Sequence, residues 1–548
     1  MSYTAHIDTF ARDRLPPAAQ QPEFLFELPE LQFPPVLNCA EALLDRWIES
    51  GEGARVCLHA PSQASWTYRD LYEQANRIAN VLVHDMGLVP GNRVLLRGTN
   101  TPMLVACWFA VVKAGGIAVP TMPLLRTREL GQIIDKAQVT HALCEEGLAE
   151  ELCAAAAEQP VLKQVHCYGG TQASRLEAAA ARHAPVFDNV PTAADDTCLI
   201  AFTSGTTGMP KGTMHFHRDL MAACACWPAH VLKAKARDRF VGSPPLAFTF
   251  GLGGLVLFPM SVGASTILLP KAGPRELLEA IPRFGATVLF TAPTSYRAMA
   301  QEAGARRLSA MHGGTLRKCV SAGEVLPAAV RTLWQAQTDI ALIDGIGSTE
   351  MLHIFVSADA YDARAGATGK AVPGYVACVM ADDGRPAPTG QVGQLAVKGP
   401  TGCRYLDDPR QQVYVRDGWN YTGDAYLRDE DGYFHSQGRS DDMIISAGYN
   451  IGAHEVEAAL LQHPLVAECV VVGAPDPERT QIVKAFVVLK EGHQGSDACT
   501  RDLQDFVKTT IAPYKYPRAI DFLPALPRTE SGKVQRFRLR ESSRAIQA

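Results

Sequence analysis

Apolar positions along this chain fall into two rhythms. Between about 68 and 300, stretches of helical pattern (70–85, 103–113 and 275–283) alternate with short apolar runs (93–96, 139–143 and 287–290). That alternation predicts parallel sheets covered by helices. The pattern continues through 317–321 and 339–343, after which glycine-punctuated strands such as 394–398 predict a β-rich section. Near Gly438 the character changes. The segment GRSDDMIISAGYN sets charges, a short apolar run and Gly448 side by side, and a helix over 454–462, strands over 468–472 and 484–489, and a helix over 500–510 follow. The expected fold class is α/β: a large N-terminal domain of helix-covered sheets plus a β-rich section, 1–438, with a small mobile α+β C-terminal domain, 439–548. Phe24, Leu25 and Phe26 mark the proline-rich first 40 residues as an arm packed on the body.

Composition narrows the function classes. A chain of 548 residues is too long for one core. A 47% hydrophobic and 20% charged makeup is that of a globular protein. Net charge −5 leaves no basic excess to neutralise phosphates, so no nucleic acid partner is expected. The N-terminus carries acids and prolines where a secretory signal needs a basic start and an apolar core. The apolar span 102–120 is interrupted by Lys113, Gly115 and Gly116, and reads as a core helix followed by a strand, too short to cross a bilayer. A cytoplasmic location without membrane attachment is expected, and a homodimer is an allowed assembly. The fourteen cysteines show no CxxC pair; Cys224 and Cys226 cannot share a helical face, so free buried thiols are expected and not a metal site.

The stretch LIAFTSGTTGMPKG, 199–212, carries the first candidate chemistry. An apolar strand precedes it and a predicted helix, 217–227, follows. Thr203, Ser204, Thr206 and Thr207 supply hydroxyls, Gly205 and Gly208 admit close backbone approach, and Lys211 adds a cation: the parts of a polyphosphate grip. It is not a Walker loop, because Lys211 stands between Pro210 and Gly212 and the metal-binding hydroxyl is absent. A second loop, DGIGSTEMLHI, again follows an apolar strand, where open sheets build ligand crevices. There Thr349 offers a hydroxyl able to bond an α-phosphate oxygen and Glu350 a carboxylate able to hold magnesium, though a lone Glu in such a place is by default surface. YTGD, 421–424, followed by Arg439, reads as a turn whose carboxylate can accept from ribose hydroxyls. Lys533 lies in PRTESGKVQR, a flexible loop near the C-terminus.

TSGTTGMPKG, the Thr-Glu motif, YTGD and PRTESGK, in this order, resemble the signature motifs of the adenylate-forming superfamily of acyl-CoA and aryl-CoA ligases. The resemblance implies a two-step reaction: a carboxylate attacks the α-phosphorus of MgATP, and coenzyme A then takes the acyl group, releasing AMP. It assigns catalysis to Lys533, Thr349 and Glu350, the ribose to Asp424 and Arg439, and the nucleotide also to Gly323, Glu324, Asp344, Gly345 and Ile346. Coenzyme A falls to Ser446 and Gly448, and the domain hinge to Asp441. This chain departs from the pattern at Ile346, where an aromatic residue commonly stacks on adenine, at Gln394 and at Asn450. The acid segments are PPLAFTFGLGG, 291–296, SAGEV and His353, with Phe248, Ala292, Ser321, Gly347 and His353 as candidate contacts. DGIGSTEMLHIF resembles benzoate-CoA ligases and GYNIGAHEVE resembles 2-aminobenzoate-CoA ligases, so the expected acid is 2-aminobenzoate or a benzoate analogue. Medium-chain fatty acids are the alternative acid class, and a phosphotransferase or ATPase is the alternative reaction.

Overall fold

A computed structural model describes residues 3–170, 175–203, 210–302, 304–439, 442–446, 449–476, 479–511, 513–528 and 534–545. Four sheets organise them. In the six-stranded sheet the order is Gln164–Tyr168, His141–Glu145, Arg93–Arg97, Ile117–Thr121, Thr197–Thr203 and Lys211–Phe216. All of its pairs are parallel except the last. Every residue of Arg93–Arg97 and Ile117–Thr121 is buried, the continuous apolar pattern of strands covered on both faces. Helix Pro102–Lys113 follows, capped by the Thr101 hydroxyl with proline in its first turn, and all its residues but Met103 are buried. Lys113 at its end is fully buried and ion-paired to Asp45 at 2.6 Å.

In the nine-stranded sheet, Val56–Ala60, Ser265–Ile267, Arg239–Gly242, Val288–Thr291, Lys318–Ser321 and Leu342–Gly347 run parallel. Antiparallel strands close both edges. Thr291 and Ser321 stand at the carboxyl ends of neighbouring strands, in register with Asp344, the last residue of the third strand to pair in parallel. An antiparallel sheet follows, built on Gly393–Lys398 and Trp419–Arg428, as the glycine-punctuated section predicts. Strands Met443–Ser446, Tyr449–Gly452, Val466–Asp476, Thr480–Leu489 and Ala519–Phe522 make a separate sheet, flanked by helices Ala453–Leu460 and Asp497–Thr510. The N-terminal arm lies on the body: Phe24 bridges to Gly399, and the Arg218 guanidinium sits over Phe24 and Phe26. No helix among the described residues is long and apolar enough to cross a membrane.

Three local expectations need correction. The segment 199–212 does not lead from strand to helix: Lys211–Phe216 is itself a strand, paired antiparallel with Thr197–Thr203, so the loop tips a hairpin. Asp344, Gly345, Ile346 and Gly347 are not loop residues but belong to strand Leu342–Gly347, which leaves its parallel partner after Asp344 and pairs with Ile354–Ser357. YTGD is not a turn; it lies within strand Trp419–Arg428. Glycine signals misled in that last case. The register slips between Gln394 and Ala396, and Gly423 absorbs the extra residues of the opposing strand at φ +75°.

Candidate active site

Residues Ser204, Gly205, Thr206 and Thr207 of the hairpin tip lie outside the described residues, as do Asp441, Gly448 and Lys533. What frames the tip is described. Thr203 and Lys211 face each other at its base, and the Thr203 hydroxyl is buried without a hydrogen-bond partner. The Lys211 ammonium donates to the Tyr405 hydroxyl at 2.9 Å and lies 3.6 Å from Glu350 Oε1. Tyr405 donates to that same Oε1 at 2.5 Å. Burial, reinforced by the Glu350 charge, pushes the Tyr405 phenol far up, so it remains a proton donor. The structure thus joins Lys211 and Glu350, and the residue that joins them is Tyr405, which the sequence reading missed. Among the described residues the hydrogen-bond and ion-pair contacts of the Glu350 carboxylate all fall on Oε1. The other oxygen is a hard donor of the kind magnesium takes, so the residues present fit a magnesium ion, which Glu350 would hold.

Thr349 is held from behind. His215 Nε2 donates to the Thr349 carbonyl at 2.8 Å. Burial lowers the His215 pKa to about 4, so the imidazole is neutral. The nearby charge pair Asp219 and Arg404, at 2.6 Å, is fully buried.

On the acid side, His353 is 4% exposed and neither ring nitrogen has a hydrogen-bond partner. Burial lowers its pKa to about 3; the Phe250 backbone, near the ring but outside hydrogen-bond geometry, acts in the opposite direction. Its ring meets Phe258 edge-on at 4.4 Å between centroids, with Phe250 at 5.6 Å and Trp227 at 5.7 Å. Gly253 permits this packing, since a Cβ there would stand 2.4 Å from His353 Cδ2. Phe248 precedes helix Thr249–Leu252, half-buried, and among the described residues makes none of these ring contacts; the second aromatic of FTF, Phe250, does. Ser321 is buried with its hydroxyl unpartnered, next to Thr291, whose hydroxyl bonds Ser243 at 2.6 Å. Ala292 is half-buried just before helix Pro293–Ala300, and Gly347 is exposed at the end of its strand.

For the nucleotide, Asp344 lies 3.9 Å from Arg331, and burial raises its carboxyl to about 7 despite that cation. Ile346 packs on the core, while Gly323 and Glu324 are exposed. Asp424 and Arg439 are brought together, paired in register and 3.3 Å apart, and Arg439 also donates to the Thr422 carbonyl. A side chain at Gly423 would collide with that guanidinium at 2.7 Å. Ser446, buried at the end of its strand, keeps an unpartnered hydroxyl. The described cysteines are all free, with Cys153 exposed. Cys39, Cys198 and His217 do cluster, their ligand atoms within 4.8 Å of one another. His217 Nδ1 already accepts the Cys39 amide at 3.1 Å, so its lone pair is engaged.

Residues 44–404 match the family model of the AMP-binding enzyme, and residues 455–533 that of the AMP-binding enzyme C-terminal domain. The benzoate–CoA ligase of Thauera aromatica is 34% identical over 521 residues, spanning 94% of this chain and 98% of that protein. The mitochondrial acyl-coenzyme A synthetase ACSM5 of Mus musculus is 33% identical over 90% of this chain and 86% of its own length. The crystal structure of the anthranilate CoA ligase AuaEII in complex with anthranoyl-AMP superposes with a TM-score of 0.86 at 32% identity, covering 95% of this chain and all of that one. Likeness over almost the full length, in sequence and in fold, makes the chain a member of the AMP-binding enzyme family, an AMP-forming acid–CoA ligase that works with ATP, magnesium and coenzyme A.

Proposed function

We propose that the acid is aromatic, 2-aminobenzoate or a close benzoate analogue, converted to its aryl-adenylate and then to the coenzyme A thioester with release of AMP and pyrophosphate. The observation that carries this reading is His353: a neutral, buried imidazole with both nitrogens unpartnered, walled by Phe250, Phe258 and Trp227, three residues past Glu350. A buried polar group without a partner costs stability unless a ligand supplies one. An imidazole with one N–H and one lone pair accepts from an aromatic amine or donates to a ring hydroxyl. The likeness to a benzoate–CoA ligase and to an anthranilate CoA ligase supports the same acid class. Likeness to ACSM5 keeps medium-chain fatty acids as the second reading.

In this proposal Thr203 to Thr207 with Lys211 grip the phosphates, Glu350 holds magnesium, and Asp424 and Arg439 hold the ribose. Lys533 neutralises the reacting oxygens. The two domains divide at Gly438, and rotation about Asp441 exchanges Lys533 for the segment from Ser446 to Gly448 between half-reactions. Pyrophosphate release measured with benzoate, 2-aminobenzoate, hydroxybenzoates and octanoate tests the substrate class. Release with an aryl acid at least tenfold faster than with octanoate is expected, and the reverse order overturns the aromatic reading. Production of ADP instead of AMP overturns the reaction itself.

A further inference from the structure

Tyr405 belongs to none of the motifs that marked the site, yet its hydroxyl stands between the two opposite charges at the base of the hairpin loop. It accepts from Lys211 at 2.9 Å and donates to Glu350 Oε1 at 2.5 Å, while the direct separation of Lys211 and Glu350 is 3.6 Å. The phenol is 1% exposed and built in from three sides. Its backbone amide donates to Gln411 Oε1 at 2.9 Å, its ring meets Tyr414 edge-on at 5.9 Å, and its chain bridges to Thr213 on the hairpin strand. Main-chain bonds from Met214 to Arg404 and from Leu406 to Gly212, each 2.8 Å, fasten it to the same strand that carries Lys211. Tyr414 in turn bonds Ser348, two residues before Glu350, at 3.2 Å.

We propose that Tyr405 is a positioning residue that sets the Glu350 carboxylate for its metal ion and keeps Lys211 from closing on it. The inference rests on the adenylation reading of the site. Its physical basis is competition for one carboxylate. With a phenol donor on Oε1, the other oxygen is presented and the lysine is held at 3.6 Å, beyond hydrogen-bond distance. Without the phenol hydroxyl, the ammonium loses its acceptor and its nearest anion is Glu350. The existing 3.6 Å ion pair would then close to hydrogen-bond distance on the residue that would hold magnesium. Groups that orient a metal ligand typically change metal affinity by about 10- to 100-fold when removed.

Tyr405→Phe removes the hydroxyl and keeps the ring packing, so it is the informative variant, with its melting temperature as a check on folding. Two measurements are made on the full-length enzyme. Pyrophosphate release with the best aryl acid is titrated with magnesium, and binding of manganese in the presence of a non-hydrolysable α,β-methylene ATP is followed by electron paramagnetic resonance. The proposal expects the half-saturating metal concentration to rise about tenfold in both, with the KM for the acid within about twofold of wild type. Unchanged metal affinity in the resonance titration overturns it. So does a uniform loss of rate at saturating metal together with a lowered melting temperature, which is the mark of a merely structural tyrosine. If the wild-type enzyme forms no AMP with any acid, the adenylation reading has failed; the manganese titration then still judges Tyr405 by itself.

Discussion

His353→Ala puts the substrate reading at risk most directly. The imidazole is 4% exposed and packed against Phe258 at 4.4 Å, so truncation opens a cavity whatever the acid. That packing loss is shared by every substrate and cancels in a ratio. What does not cancel is the polar contact: an amine that relied on the imidazole loses about 1–3 kcal/mol. Since about 1.4 kcal/mol is tenfold in rate, the preference for 2-aminobenzoate over benzoate should fall by about 5- to 150-fold. The assay is kcat/KM for both acids with wild type and variant, below the variant's melting temperature. Because burial holds the His353 pKa at about 3, the ring is neutral throughout the working range, and the wild-type preference should not change between about pH 6 and 8. Phe248→Ala serves as a control, weakening all aryl acids alike if that ring lines the pocket. An unchanged ratio after His353→Ala would falsify the assignment and leave the histidine as a packing residue.

Lys533→Ala should slow adenylation by about 10²- to 10³-fold while thioester formation from pre-made acyl-AMP stays near wild type; equal losses in the two half-reactions refute the role. Stability should fall on acidification: His6, His215 and His353 have folded pKa values of about 4, 4 and 3 against 6.5 when exposed. Below about pH 6.5 the unfolded chain binds more protons, so melting temperature should drop as pH falls from 7 to 5, less steeply in His353→Ala. Asp344 has the opposite sign, since a carboxyl raised from 3.8 to about 7 makes stability fall as pH rises between those two values; the gain of Asp344→Asn over wild type should grow from about pH 4 to pH 7 and level off above it. Asp45→Ala strands the fully buried Lys113 ammonium and should cost about 3–5 kcal/mol in denaturant unfolding, a loss that Lys113→Met in the same background reduces.

Local sequence determined the helix and strand rhythm, because the length of an apolar run and the residues that bound it separate a covered helix from a covered strand. Helix Pro102–Lys113 and strand Arg93–Arg97 follow from their own residues. So does the chemistry of the loops: glycine, hydroxyl and lysine content marks 203–211 without any partner in view. Strand ends were less legible where glycines interrupt them. Asp344 continues a strand because Ser321 pairs with it, Gly345 because Ser357 does, and Asp424 because Arg439 stands opposite. Those partners lie at separations that no local pattern encodes. Contacts between distant side chains were decided by the tertiary structure alone. Tyr405 meets Lys211 across 194 positions and Glu350 across 55, and neither motif names it. His353 becomes chemically informative only once its environment is known, since an unpartnered imidazole and a satisfied one are the same letter in the sequence. Cys39 and Cys198 join His217 without any metal-like spacing, because the arm and the sheet that carry them meet only in the folded chain. Residue type fixes what a side chain can do; packing fixes whether it has a partner with which to do it.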